Sequence, residues 1–177
     1  MVIPTWGRLA GNINVITNGT IDAGGNNGAT TYMRILSTIS GSGGLTIRKP
    51  QTVTFSGTNT YNGPLTLLGT TLELDSTASI TPSSLSLQNY ATSGSFTNMY
   101  VTNIVRAGGA LNVGYGPTGS LRVGYRDNAG ALTNCLAVLD VSSQPSFAIN
   151  VGEFSVGINA NSSGSPTSLG IVYLAHQ

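Results

Sequence analysis

Charged side chains are scarce in this sequence: seven basic and six acidic residues among 177, or 7%, against roughly 25% in an ordinary soluble domain. The basic residues, Arg8, Arg34, Arg48, Lys49, Arg106, Arg122 and Arg126, are scattered, and the formal net charge is +1. Without a basic stripe there is no electrostatic footprint for nucleic acid or for an anionic membrane surface. Cys135 is the only cysteine, which excludes an intrachain disulfide and a zinc site built from cysteines. His176 is the only histidine and sits beside the C-terminus, so a Ser-His-Asp triad would have to hang from a position where fraying is usual. No apolar run approaches the roughly 18 residues that a membrane-spanning helix needs.

Twenty-four glycines, with many Ser, Thr and Asn, supply the polar component instead, while the hydrophobic fraction is 40%. That fraction is too high, and the net charge too low, for a disordered chain. The apolar residues alternate with hydroxyl or charged ones in Leu45-Thr46-Ile47, Val53-Thr54-Phe55, Leu65-Thr66-Leu67 and Leu72-Glu73-Leu74. Period two turns the apolar side chains to one face, as in a half-buried strand. The triplets beginning at Leu45, Leu65 and Leu85 also recur at a constant interval. A fixed period of roughly 20 residues marks a solenoid of stacked units, and the spacing predicts that these three leucines point inward at equivalent places in successive coils.

The segment Gly43-Gly44-Leu45-Thr46-Ile47, then Thr52 to Gly63 with its Ser56-Gly57-Thr58-Asn59-Thr60-Tyr61-Asn62-Gly63 core, then Gly69-Thr70-Thr71-Leu72-Glu73-Leu74, resembles the autotransporter-associated β-strand repeat, also called the passenger-associated transport repeat. The resemblance runs from Gly43 to Leu74 and departs from the family pattern at Pro64, where Gly or Thr is common. It implies an all-β, right-handed parallel β-helix and a non-catalytic structural or adhesive role in a bacterial surface or secreted passenger protein. It is specific for architecture and silent on chemistry; no cofactor and no metal are expected, because the six acids are dispersed. The start, Met1 to Arg8, lacks the basic and apolar regions of a secretory signal, and we read the chain as a mature or excised piece. Expected partners are neighbouring coils or further copies, stacked head to tail into an oligomer or fibre, and a surface glycan.

Residues 1–177 read as one β-helical domain, a segment of a longer rod or a stacking subunit. Coils of roughly 20 residues would number about eight or nine and make a rod about 40 Å long. Residues 32 to 39, 99 to 105, 147 to 151, 154 to 156 and 169 to 174 read as further strands. The apolar run 131 to 141 also reads as a strand, because Val138 and Val141 are β-branched and Gly130 and Ser142-Ser143 flank it. The loop Asn89 to Asn98 is expected to protrude. Gly109-Ala110-Leu111-Asn112-Val113-Gly114-Tyr115 returns shortly afterwards as Gly119-Ser120-Leu121-Arg122-Val123-Gly124-Tyr125. This echo fits two faces of one coil or the two arms of a hairpin, and the hairpin would make the fold an antiparallel β-sandwich or jelly roll.

Chemistry has few candidates. Glu73 and Asp75 stand two apart on the outward face, a spacing compatible with a glycosidase pair but also with a solvated face neutralised by Arg48 or Lys49. Asp127 and Asp140 are isolated, whereas a β-helical polysaccharide lyase needs clustered acids for calcium or a base. Cys135 has no basic neighbour and reads as a buried small hydrophobe. Tyr61, Tyr100, Tyr115 and Tyr125 could form a sugar-stacking strip or serve as corner plugs. Thr52-x-Thr54 approaches an ice-binding array, which would need a flat, regular repetition of that spacing. No catalytic, cofactor-binding or metal-binding residue is assigned, and the alternative function is a β-helix that binds or cleaves carbohydrate.

Overall fold

A computed structural model describes residues 5–22, 31–48, 52–88, 100–126, 134–160 and 167–174. The strands follow in chain order. β1 (Thr5–Leu9), β2 (Ile13–Asn14) and β3 (Gly19–Asp22) make a first pass, and β4 (Thr31–Ile35), β5 (Ile39–Gly41) and β6 (Leu45–Arg48) a second. β7 (Thr52–Phe55), β8 (Thr60–Tyr61) and β9 (Pro64–Leu68) make the third, and β10 (Thr71–Leu74), β11 (Ser79–Ile80) and β12 (Ser84–Gln88) the fourth. Then come β13 (Tyr100–Ala107) with β14 (Ala110–Tyr125), β15 (Asn134–Asp140) with β16 (Phe147–Val156), and β17 (Ser168–Tyr173). Among the described residues there is no helix, hence none long and apolar enough to cross a membrane.

Each pass lays its strands onto the same sheets. The first sheet has the order β1-β4-β7-β10-β13-β15-β17, a second runs β3-β6-β9-β12-β14 with β16 on β14, and a short third holds β2-β5-β8. A bridge from Thr58 to Ser79 carries the third sheet on to β11, which pairs with the first half of β14. Every pairing among the described residues is parallel, whereas a jelly roll needs antiparallel neighbours. The echo at 109 to 125 is therefore no hairpin: Leu111 pairs with Ile80 and Leu121 with Leu85, so the two copies are consecutive faces of the single strand β14.

The period-two pattern becomes a set of inward rows. Leu45, Leu65, Leu85 and Leu121 are paired in that order and each is at most 3% exposed. Ile47, Leu67, Leu87 and Val123 form the next row and are fully buried. In the first sheet Ile35, Phe55 and Leu74 do the same. Between the rows, Thr20, Thr46, Thr66 and Ser86 are in register on the alternate face of the second sheet.

Two expectations change. The run 32 to 39 is two strands, because a corner at Leu36-Ser37-Thr38 separates β4 from β5 and lets both Ile35 and Ile39 face inward. Among the described residues the passes also number six, followed by β17, instead of eight or nine. Tyr32, Thr52 and Thr71 are partners in successive passes and keep nearly the interval seen between Leu45 and Leu65. From Thr71 the next partners in line are Ile104, Val138 and Ile171, so the later passes are more than half as long again. Longer strands and connections consume the difference, and seven strands span about 29 Å across the first sheet. The loop 89 to 98 lies outside the described residues.

Removal of one rung from an inward row leaves a cavity that the rigid rungs on either side cannot collapse into. Leu65→Ala should cost about 2–5 kcal/mol, and Leu65→Asp more, since it buries an unpaired carboxylate. Thr66→Ala on the alternate face should stay within about 0.5 kcal/mol. Equal denaturant midpoints for Leu65→Ala and Thr66→Ala would contradict the inward assignment.

Candidate functional site

The motif residues around the third pass hold corners. Asn59 is buried; its Oδ1 accepts from the Ile39 backbone N–H at 2.9 Å and its Nδ2 donates to the Gly57 carbonyl at 3.0 Å. The side chain thus stands in for a ladder partner where β5 and β8 are too short to provide one. Tyr61 is 1% exposed, and its hydroxyl lies 2.9 Å from the Gly43 carbonyl oxygen and 2.6 Å from that of Pro64. Burial pushes its pKa up to about 12, against a smaller opposing effect of the Leu45 backbone. Gly63 is required because a Cβ there would collide with the Gly43 carbonyl. These are positions on which the family resemblance rests, and each has a structural task.

The acids lie in separate ties between passes. Asp75 Oδ2 accepts from the Ser56 hydroxyl at 2.5 Å and from Arg34 Nη2 at 3.1 Å, while Oδ1 accepts from the Thr77 hydroxyl and backbone N–H at 2.6 and 2.9 Å. Arg34 Nε also donates to Ser56 Oγ at 3.3 Å, so one cluster links the second, third and fourth passes. Burial alone would raise the Asp75 pKa, but the Ser56, Thr77 and Arg34 hydrogen bonds outweigh it and hold the carboxyl down at about 2. Glu73 faces Arg106 across the next rung at 3.9 Å. Arg48, expected near this pair, belongs to the second sheet and binds Asp22 at 2.9 Å, and Lys49 lies outside the described residues. A carboxyl held near 2 cannot be the general acid of a glycosidase pair at neutral pH.

Asp140 accepts from the Ser142 hydroxyl and backbone N–H, which, with the nearby Arg106 charge, lower its pKa despite the opposing effect of burial. Glu153 receives a bidentate hand from Arg122, Nε to Oε1 at 2.9 Å and Nη2 to Oε2 at 2.6 Å, and this holds its pKa down. The same guanidinium lies over the Tyr125 ring, 4.5 Å from its centroid. Among the described residues no three His, Cys, Asp or Glu side chains come together as a metal site. Asp127 and His176 are outside the described residues.

The tyrosines do not make one strip. Tyr61 is internal, the Tyr125 ring is covered by Arg122, and Tyr115, 59% exposed, is pinned by a 2.6 Å hydrogen bond from its hydroxyl to the Thr81 carbonyl. Nothing is described of the Tyr100 side chain. Thr52 and Thr54 are half-buried and in register with Thr71 and Glu73, so the threonine array stops after one rung at the second position. Cys135 is fully buried beside Ser168, and burial, opposed by a Ser168 hydrogen bond, raises its pKa to about 11; the thiolate form needed for nucleophilic attack is disfavoured. A hollow of about 440 Å³ opens between Leu9, Ile13, Val15, Ile16, Ile21 and Leu45 and has no titratable group in its wall.

Sequence reasoning named Glu73 and Asp75 but missed Ser56 and Arg34, the groups that determine the state of Asp75. Folded Asp75 ionises near 2 against an ordinary value of 3.8, so its stabilising contribution is complete above about pH 4 and is lost as pH falls through 2. The gap in urea midpoint between the wild type and Asp75→Asn should therefore be widest at about pH 5 to 7 and narrow as pH falls from 4 towards 2. A gap that stays constant over that range would remove the Asp75 cluster as a tie.

No family model matches the chain, and neither curated proteins nor solved structures give a match; the resemblance to the passenger repeat stands on the quoted residues alone.

Proposed function

We propose that the chain is a right-handed parallel β-helix with a non-catalytic structural or adhesive role, a segment of a bacterial surface or secreted passenger-type protein. The observation that carries this reading is the use made of the few charges. Asp22 with Arg48, Asp75 with Arg34, Glu73 with Arg106 and Glu153 with Arg122 are each ion pairs between different passes, so the carboxylates that an enzyme would gather in one cleft are spread along the rod as ties. The uninterrupted parallel pairing and the inward leucine row fit a coil whose stability is a sum over neighbouring rungs. The resemblance to the passenger repeat supplies the extracellular setting, with which a single buried cysteine is compatible.

A β-helix that binds or cleaves carbohydrate is the second reading, favoured by the exposed Tyr115 ring. Cleavage would need several carboxylates converging within about 10 Å and free to act; Glu73, Asp75 and Asp140 lie in or next to the first sheet, but Glu73 is paired with Arg106, Asp75 with Arg34 and Asp140 with the Ser142 hydroxyl and backbone N–H, while Asp22 and Glu153 belong to the second sheet. Incubation with pectic, uronate and glucan polysaccharides, with and without calcium, should give no turnover above background. Turnover that Glu73→Gln abolishes while the far-ultraviolet circular dichroism stays unchanged would replace the structural reading with the enzymatic one.

A further inference from the structure

Asparagine followed by glycine is the pair in which a main-chain nitrogen most readily attacks a side-chain amide, because glycine puts no Cβ in the way. The sequence holds three such pairs, Asn18-Gly19, Asn27-Gly28 and Asn62-Gly63, and the second lies outside the described residues. The other two occupy the same kind of place, the entry to a strand of the second sheet, β3 for Asn18-Gly19 and β9 for Asn62-Gly63. Asn18 and Asn62 are both exposed, so access to water does not separate them. Hydrogen bonding does. The Gly44 N–H donates to Asn18 Oδ1 at 3.1 Å, and the Gly44 carbonyl accepts from the Gly19 N–H at 2.8 Å. One residue of the next pass thus holds both the carboxamide and the nitrogen that would attack it. Asn62 has no such clamp: its own N–H donates to the Gly41 carbonyl at 3.0 Å, but among the described residues nothing bonds its carboxamide and nothing accepts from the Gly63 N–H. The corresponding turn of the next pass runs through Pro82, which has no N–H to offer.

We infer that Asn62 is a site of spontaneous modification in the folded chain, and that stacking protects Asn18 from the same reaction. The Gly63 nitrogen attacks Asn62 Cγ, and the new N–Cγ bond closes a five-membered succinimide. The Cγ–Nδ2 bond breaks, and the amide nitrogen leaves as ammonia with the proton that Gly63 gave up. Water then opens the ring. Cleavage at Cγ leaves an ordinary aspartate at this position, whereas cleavage at the main-chain carbonyl leaves isoaspartate, whose main chain runs through the side chain and is one carbon longer. Isoaspartate does not fit this corner. Gly63 lies so close to the Gly43 carbonyl that even a Cβ would collide, and the Tyr61 hydroxyl joins the Gly43 and Pro64 carbonyls at 2.9 and 2.6 Å. The added carbon displaces Gly63 and Pro64 and undoes the lock that Tyr61 makes between the second and third passes. This chemistry belongs to the corner and is independent of the structural or adhesive role.

Incubation of the full chain in mildly alkaline buffer, then digestion at acid pH and fragment-ion sequencing, reads the conversion at each asparagine separately. In the folded chain Asn62 should convert several-fold faster than Asn18; in concentrated urea, where the Gly44 clamp is gone, the two should convert at similar rates. The converted chain, separated by its added negative charge, should contain isoaspartate at this position and unfold at a lower urea midpoint than the starting material. Asn62→Asp adds the same charge without lengthening the main chain, and should keep the wild-type midpoint. Equal conversion of Asn18 and Asn62 in the folded chain, or conversion of Asn62 in urea alone, would overturn the assignment of the site. An isoaspartate form as stable as the wild type would overturn the argument from the Tyr61 corner.

Discussion

In-register parallel pairing of one pass with the next is the constraint on which everything else depends. It makes Leu65 the neighbour of Leu45 and Leu85, so every side chain sees its equivalent above and below at about 4.8 Å. Apolar residues at one phase of the strand then accumulate into rows such as Leu45, Leu65, Leu85 and Leu121, and hydroxyl residues at the other phase into rows such as Thr20, Thr46 and Thr66. A shift by a single position would exchange the two sets. Register is therefore held by the burial of the whole row more than by any single contact.

Stacking also dictates where charge can go. Like charges in register on neighbouring strands repel, and the charged residues largely avoid this by alternating: Glu73 lies between Thr54 and Arg106, and Arg106 between Glu73 and Asp140. Arg8 beside Arg34 is the exception, and it is Arg34 that leans across two rungs to Asp75. With few charges and many rungs, Asp22, Glu73, Asp75 and Glu153 each tie to a different pass, while Asp140 braces its own turn through Ser142. The same distribution works against a cleft, because convergent carboxylates would have to be stacked against one another's charge.

The corners carry the residues with the least freedom. Asn59, Tyr61 and Gly63 each answer a backbone problem created where a very short strand turns into the next sheet: an unpaired N–H, an unfilled interior and a close approach of two main chains. At the later corner in β14, positive φ at Gly114 and Gly116 lets the chain bend outward without leaving its neighbour, and Tyr115 is presented to solvent where Tyr61 was drawn inside. Two tyrosines at comparable turns thus have opposite fates: Tyr115 stands between two glycines with positive φ, whereas Tyr61 closes the short strand β8.

The sequence by itself determined what is local or periodic. Alternation marked the strands, the constant interval marked the inward leucines, and the shortage of acids, histidine and cysteine limited the chemistry, because each of these is a property of residue type and spacing. Tertiary structure decided which residues meet. It split 32 to 39 at a corner, resolved the echo in β14 as two faces of one strand, lengthened the later passes by more than half, and gave Asp75 to Arg34 instead of Arg48. The reason is that in a stacked parallel fold a residue's partners lie one or two passes away, and that interval depends on the length of every intervening strand and turn. A periodic signal survives only while those lengths are nearly constant, as they are from β4 to β12, and fails where they change.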